Sequence, residues 1–213
     1  MPINSLFEGS SIVTSNDEKI KKLAAFFADE VYRSYQIQYI SVQYNNEEWI
    51  IIHELHKNDP KESGFDGAVY LNTKTGQLVV AFRGTEFTAD ERGWRDAIKN
   101  DVLGFGYNKE PEQYKDAENV LKEAIKILNR GEWINTITGE RYTFSSDPSN
   151  LIITGHSLGG GLAQLIGAQD AYKQYQVHTF NAIGVAQMVD PKPNPNQIPP
   201  VFRASLVGLG LAT

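Results

Sequence analysis

Cysteine is absent from the 213-residue sequence, and no stretch is both long enough and apolar enough to span a membrane. The absence of cysteine excludes a disulfide framework and a thiol nucleophile. Residues 1–10 have neither a cationic start nor a long apolar run, so no N-terminal signal peptide is predicted. We therefore expect a soluble protein that is either cytoplasmic or secreted without a signal peptide.

Positive charge is also scarce. The chain has 20 lysines and arginines against 26 aspartates and glutamates, which gives a formal net charge of -6. This balance argues against nucleic acid as a partner, and it leaves no polybasic patch for anionic lipid. We predict no residues that bind a cofactor or a metal, and the oligomeric state is left open.

Glycine, in contrast, is concentrated around one serine. The segment Gly155-His156-Ser157-Leu158-Gly159 follows the apolar run 151–154 and precedes the helix-like run 162–168. A serine on a sharp strand-to-helix turn needs nearly side-chain-free residues two positions before and two after it. At the start of a helix, free amides and the helix dipole stabilise an oxyanion. The flanking strand and helix favour a nucleophile elbow at Ser157 over a chance occurrence in a glycine-containing loop.

A second segment lies about seventy residues upstream of the serine. The apolar run 78–82 is typical of a buried strand, and it ends abruptly at Arg83-Gly84-Thr85-Glu86. A serine hydrolase on an α/β sheet takes one oxyanion donor from the residue after its nucleophile and another from a loop that closes an earlier strand. The order of the two segments fits that arrangement.

The sequence resembles the class 3 lipases, together with the related fungal triacylglycerol lipases and the plant and bacterial phospholipases A1. Four pieces carry the resemblance in the family's order: residues 80–85, Trp94-Arg95-Asp96, residues 154–160 and residues 177–182. The resemblance implies a single α/β-hydrolase domain over residues 1–213, with a mostly parallel central sheet flanked by helices. Residues 86–105, with Trp94 near their middle, occupy the position of the fungal lid, although Trp94 also suits a packing role.

The resemblance also implies roles for individual residues. Ser157 corresponds to the nucleophile, and the oxyanion hole is formed by the backbone N–H of Leu158 with the backbone N–H and hydroxyl of Thr85. Arg83 and Gly84 correspond to supports of the Thr85 loop. A surface arginine and a turn glycine are equally good readings of those two residues.

The chain departs from the family in its general base. A serine nucleophile needs a histidine, which in this fold follows the serine and the acid along the chain. Only His178 follows Ser157, and it lies in an apolar, strand-like run. His156 belongs to the elbow itself, and His53 and His56 lie far upstream of the serine. We therefore expect no histidine within hydrogen-bond reach of the Ser157 hydroxyl.

The length of the chain fits the same departure. Catalytic domains of the family are longer, and their extra residues carry the last strands, the triad acid and the histidine. We therefore expect a C-terminally truncated domain, with the triad Asp and His beyond Thr213. Asp190 follows the last predicted strand, but its proline-rich surroundings favour a turn-initiating role.

The predicted function is that of a serine carboxylic ester hydrolase acting on lipids, a lipase or a phospholipase A1-like enzyme. A catalytically incomplete lipid-binding relative and a serine acyltransferase remain as alternatives. Lipid or another ester is the expected substrate, with transient contact to a lipid surface. Head group, chain length and regiochemistry are left open.

Local patterns predict several further elements. Ser15 and Glu18 form a capping box that predicts the start of a helix. Residues 67–82 indicate a hairpin around a turn at 72–76. Pro111 and Gly131 bracket a second helix.

Overall fold

The computed structural model describes residues 8–34, 41–58, 64–84 and 112–182, which form three α-helices and nine strands. The helices are α1 Glu8–Ser34, α2 Glu112–Arg130 and α3 Ser157–Gly167. The strands are β1 Ser41–Tyr44, β2 Glu47–Ile51, β3 Lys57–Asn58, β4 Asp66–Asn72, β5 Leu78–Phe82, β6 Glu132–Ile134, β7 Arg141–Thr143, β8 Leu151–His156 and β9 Gln176–Phe180.

Seven strands form one mixed sheet in the order β1-β2-β4-β5-β8-β9, with β3 also paired to β4. The expected parallel arrangement is present only from β5 through β8 to β9. The pairs β1 with β2, β2 with β4, β3 with β4 and β4 with β5 are antiparallel, so the sheet is not mostly parallel over the described residues. Ser157 follows the middle strand of the parallel part.

Helices cover both faces of this sheet, as an α/β fold requires. On one face, α1 buries Phe27 and Val31 against Ala81 and Ile152 of the sheet. On the other face, α2 and α3 pack over a larger core that includes Val80 and other fully buried strand residues. Strands β5 and β8 are therefore apolar on both faces, which is the pattern of central parallel strands.

Two hairpins build the antiparallel part of the sheet. The predicted hairpin between β4 and β5 is confirmed, and the Asn72 side chain stabilises its turn by accepting from the N–H groups of Lys74 and Thr75. The turn between β1 and β2 has positive φ at both Asn45 (52°) and Asn46 (61°). Two successive left-handed residues are the signature of the type I′ turn, which matches the twist of paired strands.

The first helix begins at Glu8, earlier than the predicted start at the capping box of Ser15 and Glu18. Asp17 of that box instead forms an i,i+4 ion pair with Lys21 at 2.8 Å, a contact of helix interiors. The second predicted helix is confirmed as α2, and Gly131 follows it with a φ of 68°. No helix in the described part of the chain has the length and apolar character of a membrane span.

Candidate active site

Ser157 lies at the junction of β8 and α3 and has a φ of 54°. The other non-glycine residues with positive φ in the described ranges are three asparagines, the residue type most tolerant of this region. A serine held there is strained by about 1–3 kcal/mol and persists only where its surroundings fix it. The sharp turn from strand to helix that the sequence predicts at Ser157 is present, and it carries this strain.

Gly155 and Gly159 provide the space that this turn needs. A Cβ on Gly155 would lie 2.4 Å from the Gly159 carbonyl group, so the strand end and the helix start could not approach as they do. A Cβ on Gly159 would lie 2.1 Å from the carbonyl oxygen of Phe82, the last residue of β5. The first turn of α3 therefore rests directly against the carboxyl end of β5, backbone on backbone.

The loop that leaves β5 reaches the serine itself. A Cβ on Gly84 would lie 2.7 Å from the His156 carbonyl oxygen and 3.1 Å from the Cβ of Ser157. Gly84 has no positive φ, so its role is to allow close approach rather than to form a left-handed turn. The close approach gives Gly84 a role beyond that of a turn glycine. Thr85, the next residue, lies outside the described residues.

Arg83 anchors the same loop from below. Its Nη1 atom donates to the Asp66 Oδ2 atom at 2.5 Å, and both side chains are more than nine-tenths buried. Its guanidinium carbon also lies 5.4 Å from the centroid of the Tyr32 ring. A buried, bonded arginine corrects the alternative reading of Arg83 as a surface residue. Asp66 also serves the backbone, because its carbonyl accepts from the Arg83 N–H at 2.9 Å.

Tyr32 joins the loop to the elbow. The Gly84 N–H donates to the Tyr32 hydroxyl oxygen at 3.0 Å, and the same hydroxyl lies 3.1 Å from His156 Nδ1. The His156 ring is therefore held by the Tyr32 hydroxyl. Sequence reasoning missed Tyr32 and Asp66, because both are separated from the motif by long stretches of chain and no local pattern marks them.

Leu158 follows the serine at the start of α3. Its side chain is 6% exposed and packs into the core beneath the helix. The His156 side chain accepts no hydrogen bond from the backbone N–H groups in the first turn of α3. The Leu158 N–H thus belongs to the group of donors expected at an oxyanion site, and its catalytic role remains a prediction.

All four histidines lie in the described residues, and none is hydrogen-bonded to the Ser157 hydroxyl. His178 pairs with Thr154 across β8 and β9, and Thr154 points at α1, where its Oγ1 donates to the Ala24 carbonyl. Burial lowers the pKa of His178, and its charged neighbours Asp17 and Lys21 also belong to α1. The base that would serve Ser157 therefore stays unassigned among these four histidines.

The two upstream histidines belong to a different part of the sheet. His53 is exposed in a short 3₁₀ turn, and His56 is half-buried beside β4. Burial lowers the pKa of His56, while the negative charge of Asp66 opposes that shift.

The lid prediction at residues 86–105, Trp94 and Asp190 lie outside the described residues, so the triad acid and base stay unassigned. The described residues contain no group of acidic or histidine side chains suited to a metal ion.

The last piece of the motif series also meets the elbow helix. Asn181, directly after β9, has a φ of 44°, and the following residue is Ala182. A Cβ on Gly160 would lie 2.7 Å from the Ala182 Cβ, so this glycine lets α3 pack closely on the segment after β9. Three of the sequence pieces therefore meet at the carboxyl ends of the parallel strands. Their described parts lie around residues 80–84, 154–160 and 177–182.

Comparison with known proteins adds to this geometry. Over 124 residues, or 58% of the chain, the sequence is 35% identical to the Extracellular phospholipase A1 of Serratia liquefaciens. The aligned part covers only 29% of that relative's length. The Phospholipase-like family, described as a Tle-like phospholipase domain, matches residues 23–196, well over half of the chain. The resemblance to lipases and phospholipases is thus confirmed at that level, and the narrower class 3 assignment stays a prediction. The chain belongs to the family of Tle-like phospholipase domains.

Proposed function

We propose that the chain hydrolyses carboxylic esters of lipids through an acyl-enzyme on Ser157. The observation that carries the proposal is the backbone of Ser157, which has a φ of 54° between β8 and α3. A strained serine between a parallel strand and a helix N-terminus is the arrangement of a nucleophile elbow. The family of the chain makes a phospholipid ester the first substrate to test.

The reaction has two steps. The Ser157 Oγ atom forms a bond to the ester carbonyl carbon, the serine proton passes to a base, and the alcohol part of the lipid leaves with a proton. Water then attacks the acyl-serine, which releases the fatty acid and restores the hydroxyl. During both steps the negative oxygen needs donors, for which the Leu158 N–H and Thr85 are the predicted source.

The test is covalent labelling with a fluorophosphonate, followed by peptide mass spectrometry. We expect the label on Ser157, no label on the Ser157→Ala variant, and unchanged labelling of Ser149→Ala. Ser149 is a fair control because it is an exposed serine whose backbone N–H donates to Asp147 in a short turn before β8. Release of fatty acid from phospholipid micelles, measured on the same three proteins, then tests hydrolysis itself.

A second candidate function is lipid binding without turnover. It is favoured by one observation, the lack of a hydrogen bond from any histidine to the Ser157 hydroxyl. A serine without its base keeps only the contributions of the oxyanion site and of binding, which amount to roughly 10³- to 10⁴-fold over water. Micelle binding that survives Ser157→Ala, together with neither labelling nor fatty acid release in the parent chain, would select this candidate.

A further inference from the structure

The side chain of Tyr32 lies between the two backbone segments that meet at Ser157. It projects from the last turns of α1, and its hydroxyl oxygen accepts from the Gly84 N–H at 3.0 Å. The same hydroxyl lies 3.1 Å from His156 Nδ1, one residue before the serine. One oxygen atom thus bridges the end of β5 and the end of β8.

The ring of Tyr32 is held as firmly as its hydroxyl. The guanidinium of Arg83 lies over the ring at 5.4 Å from its centroid, and Arg83 is in turn bonded to the buried Asp66. Gly84 makes the approach possible, because a Cβ there would lie 2.4 Å from the Tyr32 hydroxyl. The loop, the ring and the strand end therefore pack closely against one another.

The bridge has a direction. Because the Tyr32 oxygen accepts from Gly84, its own proton is available to His156 Nδ1, which accepts it when the neutral imidazole carries its proton on Nε2. In that tautomer the Gly84 N–H donates to the Tyr32 oxygen, and the Tyr32 O–H donates to His156 Nδ1. The substitution Tyr32→Phe would keep the ring and its contact with Arg83, but it would remove the hydroxyl that bonds the Gly84 N–H and His156 Nδ1.

We propose that the Tyr32 hydroxyl is a positioning group that sets the distance between Gly84 and Ser157, and so between the nucleophile and the loop that precedes the predicted donor Thr85. The inference rests on the proposed function of Ser157. Tyr32 acts through Gly84 and His156 and not on substrate. Its loss therefore slows the covalent step and leaves binding unchanged, since misplacement by about 1 Å costs on the order of 100-fold in rate.

The experiment compares Tyr32→Phe with Tyr172→Phe and the parent chain. Tyr172 is a matched control, because its hydroxyl donates to Glu118 at 3.0 Å, far from the elbow. The rate of fluorophosphonate labelling of Ser157 is measured against probe concentration. For Tyr32→Phe we expect the rate at saturating probe to fall about 10- to 100-fold and the half-saturating concentration to stay within about twofold. Tyr172→Phe should match the parent in both values.

Hydrogen exchange at the Gly84 amide provides a second readout, which needs no activity. We expect this amide to exchange about tenfold faster in Tyr32→Phe than in the parent, with the core amides of β5 unchanged. An unchanged saturating rate in Tyr32→Phe, a change in the half-saturating concentration instead, or an equal loss in Tyr172→Phe would each overturn the positioning role. A parent chain whose labelling does not depend on Ser157 would instead remove the proposed function, and the positioning role with it.

Discussion

Replacing Gly159 with alanine tests the contact on which the whole elbow depends. The new Cβ would lie 2.1 Å from the Phe82 carbonyl oxygen, 2.6 Å from the Phe82 carbonyl carbon and 2.8 Å from the carbonyl carbon of Arg83. Real Cβ atoms do not approach closer than 3.0 Å, so the start of α3 and the end of β5 must separate by about 0.9 Å. No rotamer change can relieve the overlap, because every atom involved belongs to the backbone.

The expected cost follows from that displacement. Overpacking of a well-filled interior destabilises by about 1–3 kcal/mol, which for a chain of this size lowers the melting temperature by roughly 2–12 °C. A shift near 1 Å between the nucleophile and the loop after β5 costs on the order of 100-fold in rate. Gly159→Ala should therefore unfold earlier and label Ser157 far more slowly at saturating fluorophosphonate.

Gly167→Ala is the matched control for this prediction. It lies at the other end of the same helix, and its new Cβ would meet side-chain atoms of Val177, at 2.6 Å from Cγ2, 3.4 Å from Cβ and 3.5 Å from Cγ1. A valine methyl can move where a strand backbone cannot, and alanine is about 1 kcal/mol better than glycine in a helix. We expect near-parental labelling and a small change in stability. If Gly159→Ala labels and melts like the parent chain, the close contact between α3 and β5 does not exist.

Two further predictions concern buried charge. Arg83→Met removes the ion pair of the buried Asp66 and should lower the free energy of unfolding, measured by urea titration, by about 3–5 kcal/mol. The control Arg141→Met breaks an exposed pair with Glu132 and should cost under about 1 kcal/mol. Equal losses in the two variants would contradict the burial of the pair between Arg83 and Asp66. Burial lowers the pKa of His178 from its ordinary 6.5, so the unfolded chain binds more protons just below that pH, and stability that is complete above 6.5 is lost as the pH falls through the folded pKa. Below about pH 6.5, His178→Gln should make the free energy of unfolding depend less on pH than the exposed control His53→Gln does. An unchanged pH dependence in His178→Gln would show that burial does not shift this histidine.

Short sequence patterns predicted those elements of the fold that depend on neighbouring residues alone. The apolar run of β5 and the glycines around Ser157 were sufficient to place a strand, a turn and a helix, because each signal is contained within a few residues. The start of α1 was misplaced, since a Ser-x-x-Glu pattern is equally compatible with a helix interior in which Asp17 bonds Lys21. The turn at Asn45 and Asn46 was not predicted, although asparagine tolerates the positive φ that both central residues of a type I′ turn require.

The support beneath the elbow could not be predicted in the same way. Tyr32 meets His156 across 124 positions of the chain, and Arg83 meets Asp66 only because β4 and β5 pair in one register. The sequence around a helical tyrosine does not show whether its hydroxyl bridges two distant backbone segments or its ring simply packs on the sheet. These residues are selected by the packing of α1 on the sheet, which requires the tertiary structure.

The glycines of the elbow give space, and the serine itself carries the strained torsion. Among Gly84, Gly155 and Gly159, none has a positive φ, whereas Ser157 has a φ of 54°. The fold therefore has a serine at a position where glycine would be less strained, and this strain is expected to lower stability.

This arrangement predicts an inverted order of stability for two nucleophile-free variants. A left-handed residue with a Cβ costs about 1–2 kcal/mol, so Ser157→Gly should be more stable than Ser157→Ala by about 1 kcal/mol, or roughly 2–4 °C in melting temperature. The same pair at Ser149, which has no positive φ, should show the usual order, with alanine the more stable. Urea unfolding of the four proteins measures both differences. If Ser157→Ala is as stable as Ser157→Gly, the serine is not strained in solution, and the elbow geometry that supports its role as nucleophile is lost with it.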